Sequence, residues 1–204
     1  MAYHDVLGDL PETPVGHDYD LARPVDSFVP TARAVAFQPA AFFAALPRLG
    51  NYLSPLVFAL ICAEVATVFR GILGLTDGSV VGLLFVSLIG TLIGGTIGLF
   101  ILAGIAHLLV MAIVGPSRAG FEATFRAAAY ASVTSLVSWI PVIGGLASLY
   151  GLYLAIVGIR EVHQTTTGKA AAVVLIPIAV IVVLALVIGI IAGIAILSGM
   201  GGLQ

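Results

Sequence analysis

The sequence predicts an all-α, polytopic transmembrane helical bundle of five spans. A short N-terminal interfacial helix precedes the spans, and a half-embedded segment follows the first. Three observations carry this. Hydrophobic residues make up 60% of 204 residues and charged residues only 9%, against about 25% charged in an ordinary soluble domain. Apolar runs long enough to cross a bilayer recur along the chain. The Lys and Arg residues fall between those runs in an alternating pattern.

Residues 1–35 stand apart. They hold six of the ten acidic residues (Asp5, Asp9, Glu12, Asp18, Asp20, Asp26) and four of the ten prolines. Such a segment has little apolar surface to bury, so a disordered acidic cytoplasmic tail is expected over 1–35. Neither a cleavable leader nor a myristoyl anchor is expected from Met1-Ala-Tyr-His-Asp5. From 36 to 204 the composition is that of one membrane domain. Pro39–Leu49 is too short to span; Phe42, Phe43 and Leu46 share one helical face, which predicts an interfacial helix.

A span needs roughly 20 apolar residues, because the hydrocarbon is ~30 Å thick and a helix rises ~1.5 Å per residue. Leu53–Leu75 is the first. The stretch from Ser79 to Val114 carries no formal charge and is too long for one upright helix. Gly90, Gly94, Gly95 and Gly98 punctuate it, which predicts a half-embedded segment at about 79–92 and a span at about 94–114. The remaining spans are expected at about 121–140 (ended by Pro141), 142–163 and 170–197, with Pro177 kinking the last and Thr165–Thr167 capping its start. The Gly90, Gly94, Gly98 spacing and the pair Gly189, Gly193 predict close helix packing within the chain.

The cations test the count. Arg23, Arg33 and Arg48 precede the first span; Arg118 and Arg126 surround the start of the third; Arg160 and Lys169 flank the link between the fourth and fifth. The other connections carry only Arg70. Positive loops on one side predict a cytoplasmic N-terminus and an outside C-terminus. Six spans would place positive loops on both sides, so the pattern favours five.

Polar residues inside the spans are the candidate site. A carboxylate at the bilayer centre costs on the order of 3 kcal/mol on insertion scales, so Glu64 must face protein, water or a partner. By helix rise, Glu64 is roughly 16 Å deep, His107 roughly 10 Å and Arg126 roughly 8 Å from the inner surface. Glu122, Arg126, Tyr130, Thr134 and Ser138 recur at steps of four, a stripe that must face the bundle interior, with Glu before Arg in the favourable order. The candidate buried cluster is Glu64, His107, Glu122, Arg126 and Tyr130. It reads either as interhelical hydrogen-bond glue or as a polar pathway or headgroup groove.

Catalysis has no motif behind it. Thr167-Gly-Lys169 resembles the end of a phosphate-binding loop, but His163 stands where the first glycine belongs and Ala170 follows the lysine. Catalytic, cofactor-binding and metal-binding residues are all expected to be none. Cys62 is the single cysteine, so neither an intrachain disulfide nor a thiolate metal site can form. The net charge of −2 gives no basic footprint for nucleic acid.

Several segments taken together resemble the prokaryotic branch of the Yip-domain family. They are Phe42-Phe-Ala-Ala-Leu-Pro-Arg-Leu-Gly50 with Leu53-Ser-Pro-Leu56, Phe121-Glu-Ala-Thr-Phe-Arg-Ala-Ala-Ala-Tyr130, and Ser138-Trp-Ile-Pro-Val-Ile-Gly-Gly145. Tyr150-Gly-Leu-Tyr153, Gly158-Ile-Arg-Glu-Val-His163 and Thr167-Gly-Lys-Ala170 complete the set. The resemblance covers about 37–190 and implies five spans with a cytoplasmic N-terminus. Eukaryotic members bind Rab-type GTPases in vesicle traffic; the short acidic N-terminus here argues against carrying that over.

The functional expectation is a non-enzymatic scaffold, adaptor or membrane-shaping protein of a prokaryotic cytoplasmic membrane. Membrane lipid, a protein at the cytoplasmic face and a second copy of the chain are the expected partners. The alternative is a transporter, channel or lipid-moving protein using the polar groove.

Overall fold

A computed structural model of the chain describes residues 18–73, 80–115 and 119–201. The described residues form seven α-helices and no strand: α1 (Pro24–Phe37), α2 (Pro39–Ala45), α3 (Leu53–Leu73), α4 (Val80–Leu109), α5 (Phe121–Ala131), α6 (Ile143–His163) and α7 (Thr167–Gly201). A π-helical turn, Val110–Val114, continues α4, and a 3-10 helix, Ser132–Val137, continues α5.

Four helices are long and apolar enough to cross a membrane: Leu53–Leu73, Phe85–Val114, Ile143–His163 and Thr167–Gly193. The chain is therefore a multi-pass membrane protein. The segment expected to span 121–140 is built differently. It is α-helical for 11 residues and 3-10 helical for six, and hydroxyls explain the change. Ser132 Oγ donates to the Ala129 carbonyl at 2.6 Å and Ser138 Oγ to the Ser135 carbonyl at 2.9 Å. Side-chain donors that reach carbonyls three residues back compete with the α-helical ladder. The segment ends in a tight turn: the Ile143 N–H donates to the Pro141 carbonyl at 2.8 Å, with Val142 at φ 69° and ψ −54°. That is γ-turn geometry, strained for a β-branched residue. Of the predicted stripe, Glu122, Arg126 and Tyr130 keep one helical face, while Thr134 and Ser138 fall in the tighter winding.

The apolar run after the first span forms one helix. Its backbone runs unbroken through Gly90, Gly94, Gly95 and Gly98, so the expected break and the separate half-embedded segment at 79–92 are not seen. In hydrocarbon a break strands N–H and C=O groups without water to receive them, whereas a helical glycine costs only about 1 kcal/mol relative to alanine. The expected packing role of the spaced glycines also fails. A Cβ built at Gly90, Gly94, Gly98, Gly189 or Gly193 meets nothing within 4 Å. The close approach lies elsewhere, where a Cβ at Gly158 on α6 would sit 3.1 Å from the Ala127 Cβ on α5 and 3.3 Å from the Phe43 ring.

The N-terminal segment is ordered from residue 18, contrary to the expectation of disorder to 35; residues 1–17 lie outside the described residues. Pro24 occupies the first turn of α1, where its missing N–H removes no bond. Asp20 accepts from the Ala22 N–H at 2.9 Å and from Arg23 Nε at 3.1 Å, and these donors hold its carboxyl below the usual range. Apolar burial supplies what the composition concealed. The buried Tyr19 ring packs edge-on against Phe28 at 6.3 Å and against Phe58 of α3 at 5.8 Å. The shared face of α2 also turns inward: Phe42, Phe43 and Leu46 are buried in the core with Tyr130 and Leu154, where an interfacial helix would have left them against lipid.

At the other end of the bundle Arg70 donates to Ser138 Oγ at 2.6 Å, and Phe69 stacks on Trp139 at 4.5 Å. The expected cap of α7 is present, with Thr166 Oγ1 receiving the Lys169 N–H at 3.4 Å, and α7 continues through Pro177.

Gly158→Leu should overfill the α2–α5–α6 junction and cost about 1–3 kcal/mol. Thermal unfolding in detergent should show the loss, with Gly193→Leu, on an open face, unchanged. Equal melting of the two variants would contradict the packing described.

Candidate functional site

The sequence marked Glu64, His107, Glu122, Arg126 and Tyr130 as one cluster. The structure divides them among three places. The first is centred on Arg126, whose side chain is 1% exposed. Its Nε donates to Glu122 Oε1 at 3.2 Å, one helical turn back, and its Nη2 donates to the Asn51 carbonyl at 3.2 Å. Its Nη1 lies 2.7 Å from Asp18 Oδ2. That contact is an ion pair without hydrogen-bond alignment, so Nη1 has no directed partner among the described residues. The Tyr130 hydroxyl donates to Asp18 Oδ1 and accepts the Tyr19 N–H at 2.8 Å. One buried cation thus faces two carboxylates, one of them from a segment more than 100 residues away.

Local structure explains why the site is tight. Asn51 caps α3, its Oδ1 receiving the Ser54 N–H at 2.9 Å; this fixes the carbonyl that Arg126 reaches. Gly50 is required beside it, since a Cβ there would collide with the Arg126 guanidinium. The Tyr130 ring is held by Phe42 at 5.0 Å and Phe58 at 5.1 Å.

The second place joins three helices. Thr124 Oγ1 on α5 lies 2.9 Å from His107 Nδ1 on α4 and 2.9 Å from His163 Nε2 on α6. A hydroxyl has one proton and accepts through its lone pairs. The single hydroxyl proton can serve only one ring, so at least one histidine must offer an N–H to Thr124, and the bridge excludes the tautomer pair in which both present a lone pair. The third place holds Glu64. Both its oxygens are buried and have no hydrogen-bond partner among the described residues, in an apolar recess of about 460 Å³ bordered by Val57, Leu60, Val68 and Leu92.

Sequence reading missed Asp18, Asn51, Thr124 and His163. Asn51-x-x-Ser54 was legible as a cap. Asp18 carried no signal, because its partners lie over 100 residues on.

Against known families, the Yip1 domain model matches residues 33–190. The chain belongs to the Yip1 domain family. No curated protein and no solved structure matches it. The match covers the Glu64 and Thr124 places, the Arg126 place apart from Asp18 and Tyr19, and every helix from α2 to α6, with the greater part of α7. Asp18 and the start of α1 lie outside it, so the partner that completes the Arg126 site comes from beyond the matched region of this Yip1 protein.

Tyr130→Phe keeps the ring packing and removes both bonds at the hydroxyl. It should cost about 1–3 kcal/mol and speed hydrogen exchange at the Tyr19 amide. Arg126→Gln, which leaves two carboxylates facing a neutral group, should cost about 3–5 kcal/mol. Unchanged Tyr19 exchange in Tyr130→Phe would contradict the mooring.

Proposed function

We propose that this Yip1 protein is a non-enzymatic membrane adaptor of a prokaryotic cytoplasmic membrane, with N-terminus cytoplasmic, C-terminus outside and five crossings. The observation that carries the adaptor reading is the presentation of α1. The helix is moored to the bundle through Asp18 and Tyr19, yet Val25, Val29 and Phe37 stand exposed, at 82%, 58% and 79%, Val29 and Phe37 also bordering the recess between α1 and the start of α3. Val25, Val29, Arg33 and Phe37 are spaced by four, a stripe that a helix presents on one side. An apolar stripe held rigidly on a polar-rimmed surface is what a partner protein needs for docking.

The fifth crossing is the α5 and 3-10 segment. Eleven residues at ~1.5 Å and six at ~2.0 Å reach roughly 28 Å, close to the ~30 Å hydrocarbon thickness. Irregular backbone at membrane depth is tolerated where protein encloses it, and α5 is buried along most of its length. Arg48 lies in the α2–α3 connection, Arg160 in the last turn of α6 and Lys169 in the first turn of α7, and the Thr124–His163 contact brings the end of α6 to the first turn of α5, which supports a cytoplasmic placement for that end. The transporter alternative has less support. Its residues fall into three separate places, with the rings of Phe42 and Phe58 packed around Tyr130.

Crosslinking and pull-down from native membranes tests the adaptor reading. Val25→Ser with Val29→Ser, which leaves Asp18 and Tyr19 in place, should lose partners that the parent protein retains. An identical partner set would refute it. A reporter fused at Gln204 should report from outside; a cytoplasmic signal would refute five crossings.

A further inference from the structure

The Arg126 pocket has the chemistry of an anion site already filled by the chain's own carboxylate. Arg126 and Tyr130 are both fully buried; Arg126 pairs its charge with Asp18, and the Tyr130 hydroxyl donates to it. The fit is incomplete: Nη1 is within 2.7 Å of Asp18 Oδ2 but makes no aligned hydrogen bond. A planar carboxylate offers two oxygens in one plane, while the donors Nη1 and Tyr130 Oη reach it from side chains one turn apart on α5. Asp18 also borders a recess of about 1210 Å³, lined by Arg33, Phe37, Phe42, Asn51 and Ser54, between α1 and the start of α3. That recess could hold a group attached to the anion, and its walls are part apolar and part polar. Asp18 itself is not fully enclosed, its side chain being 23% exposed, so it can leave toward solvent.

We propose that the Arg126–Tyr130 pocket binds the phosphodiester of an anionic lipid headgroup, with Asp18 as the internal competitor that occupies it at rest. A phosphodiester monoanion replaces a carboxylate charge for charge, so the balance with Glu122 is kept. Its tetrahedral oxygens can meet Arg126 Nη1 and the Tyr130 hydroxyl together. Entry of the headgroup releases Asp18 and, with it, the Tyr19 N–H bond to Tyr130, so lipid occupancy loosens the mooring of α1. The lipid arm rests on the reading above that this end of the bundle lies at a headgroup surface; a soluble phosphodiester tests the pocket even where that placement fails.

Native mass spectrometry of the full chain in detergent reads the bound molecules directly. Phosphatidylglycerol, phosphatidylcholine and free glycerophosphoglycerol are the probes. Asp18→Asn keeps an acceptor for Tyr130 but weakens the competitor, and should bind phosphatidylglycerol about tenfold more tightly than the parent chain, since apparent affinity scales with the unoccupied fraction of the pocket. Adding Tyr130→Phe or Arg126→Lys to Asp18→Asn should reverse the gain. Displacement of phosphatidylglycerol by free glycerophosphoglycerol supports the site and assigns a soluble source; no displacement supports the lipid. Equal affinity of phosphatidylglycerol for Asp18→Asn and the parent chain would overturn the proposal; equal uptake of the two lipids would assign recognition to the phosphodiester they share, and weaker uptake of phosphatidylcholine to the net anionic headgroup.

Discussion

A guanidinium inside a membrane bundle must be neutralised and its donors received, and much of this fold answers to that one demand. Arg126 sits at the middle of α5, the most enclosed helix. Its cost is offset by Glu122 one turn back, by a carbonyl fixed by the Asn51 cap, and by Asp18. Burial of an ion pair contributes little net stability by itself, because desolvation of both charges opposes their attraction. What it does is exclude alternatives. A register of α5 that turned Arg126 toward lipid would strand a charge, and a loop without glycine at 50 would collide with the guanidinium. The same demand orders residues 18–20, so the charge in α5 determines where the N-terminal segment lies.

How much of this could be read from the chain depended on how local each cause was. The apolar lengths of α3, α6 and α7 were legible, because hydrocarbon thickness acts on residue counts alone. So was the Glu122–Arg126–Tyr130 face, because a four-residue step is a helical turn. The run from 79 to 114 misled, since glycines that signal breaks in water do not break a helix where the broken backbone would have no partner. The change of winding at Ser132 was readable in principle: Ser132, Thr134, Ser135 and Ser138 lie within seven residues, and their hydroxyls compete for backbone carbonyls. Asp18 was beyond reach, as an acidic, proline-rich segment reads as unfolded until a buried cation elsewhere gives it a partner.

The three polar places do different structural work. Thr124 bridges α4 and α6 through α5, so the central helix is tied to its neighbours by a hydroxyl between two imidazoles. Arg126 ties the same helix to the α2–α3 connection and to the N-terminal segment. Glu64 does neither. Its oxygens find no donor in the described chain, and it faces an apolar recess on the α3–α4 side. Polar glue explains the first two places and leaves Glu64 to be met from outside the described residues.

The geometry also constrains how any partner at α1 could act on the bundle. A ligand shifts an equilibrium only by its differential affinity for the two states. A protein that reads only the exposed Val25–Val29–Phe37 stripe binds moored and released forms alike, provided α1 stays helical, and leaves Arg126 undisturbed. A protein that also requires Tyr19 or Asp18 must first free them. It then opposes the aromatic contacts with Phe28 and Phe58, the Tyr130 hydrogen bonds and the Arg126 ion pair together. The surface stripe is therefore suited to constitutive docking, and the buried end of the segment to regulation. Because Asp18 and Tyr19 adjoin each other in the chain and share Tyr130, the proposed docking and the proposed regulation meet at one side chain, where displacement of the carboxylate acts on the same hydroxyl that receives the Tyr19 N–H.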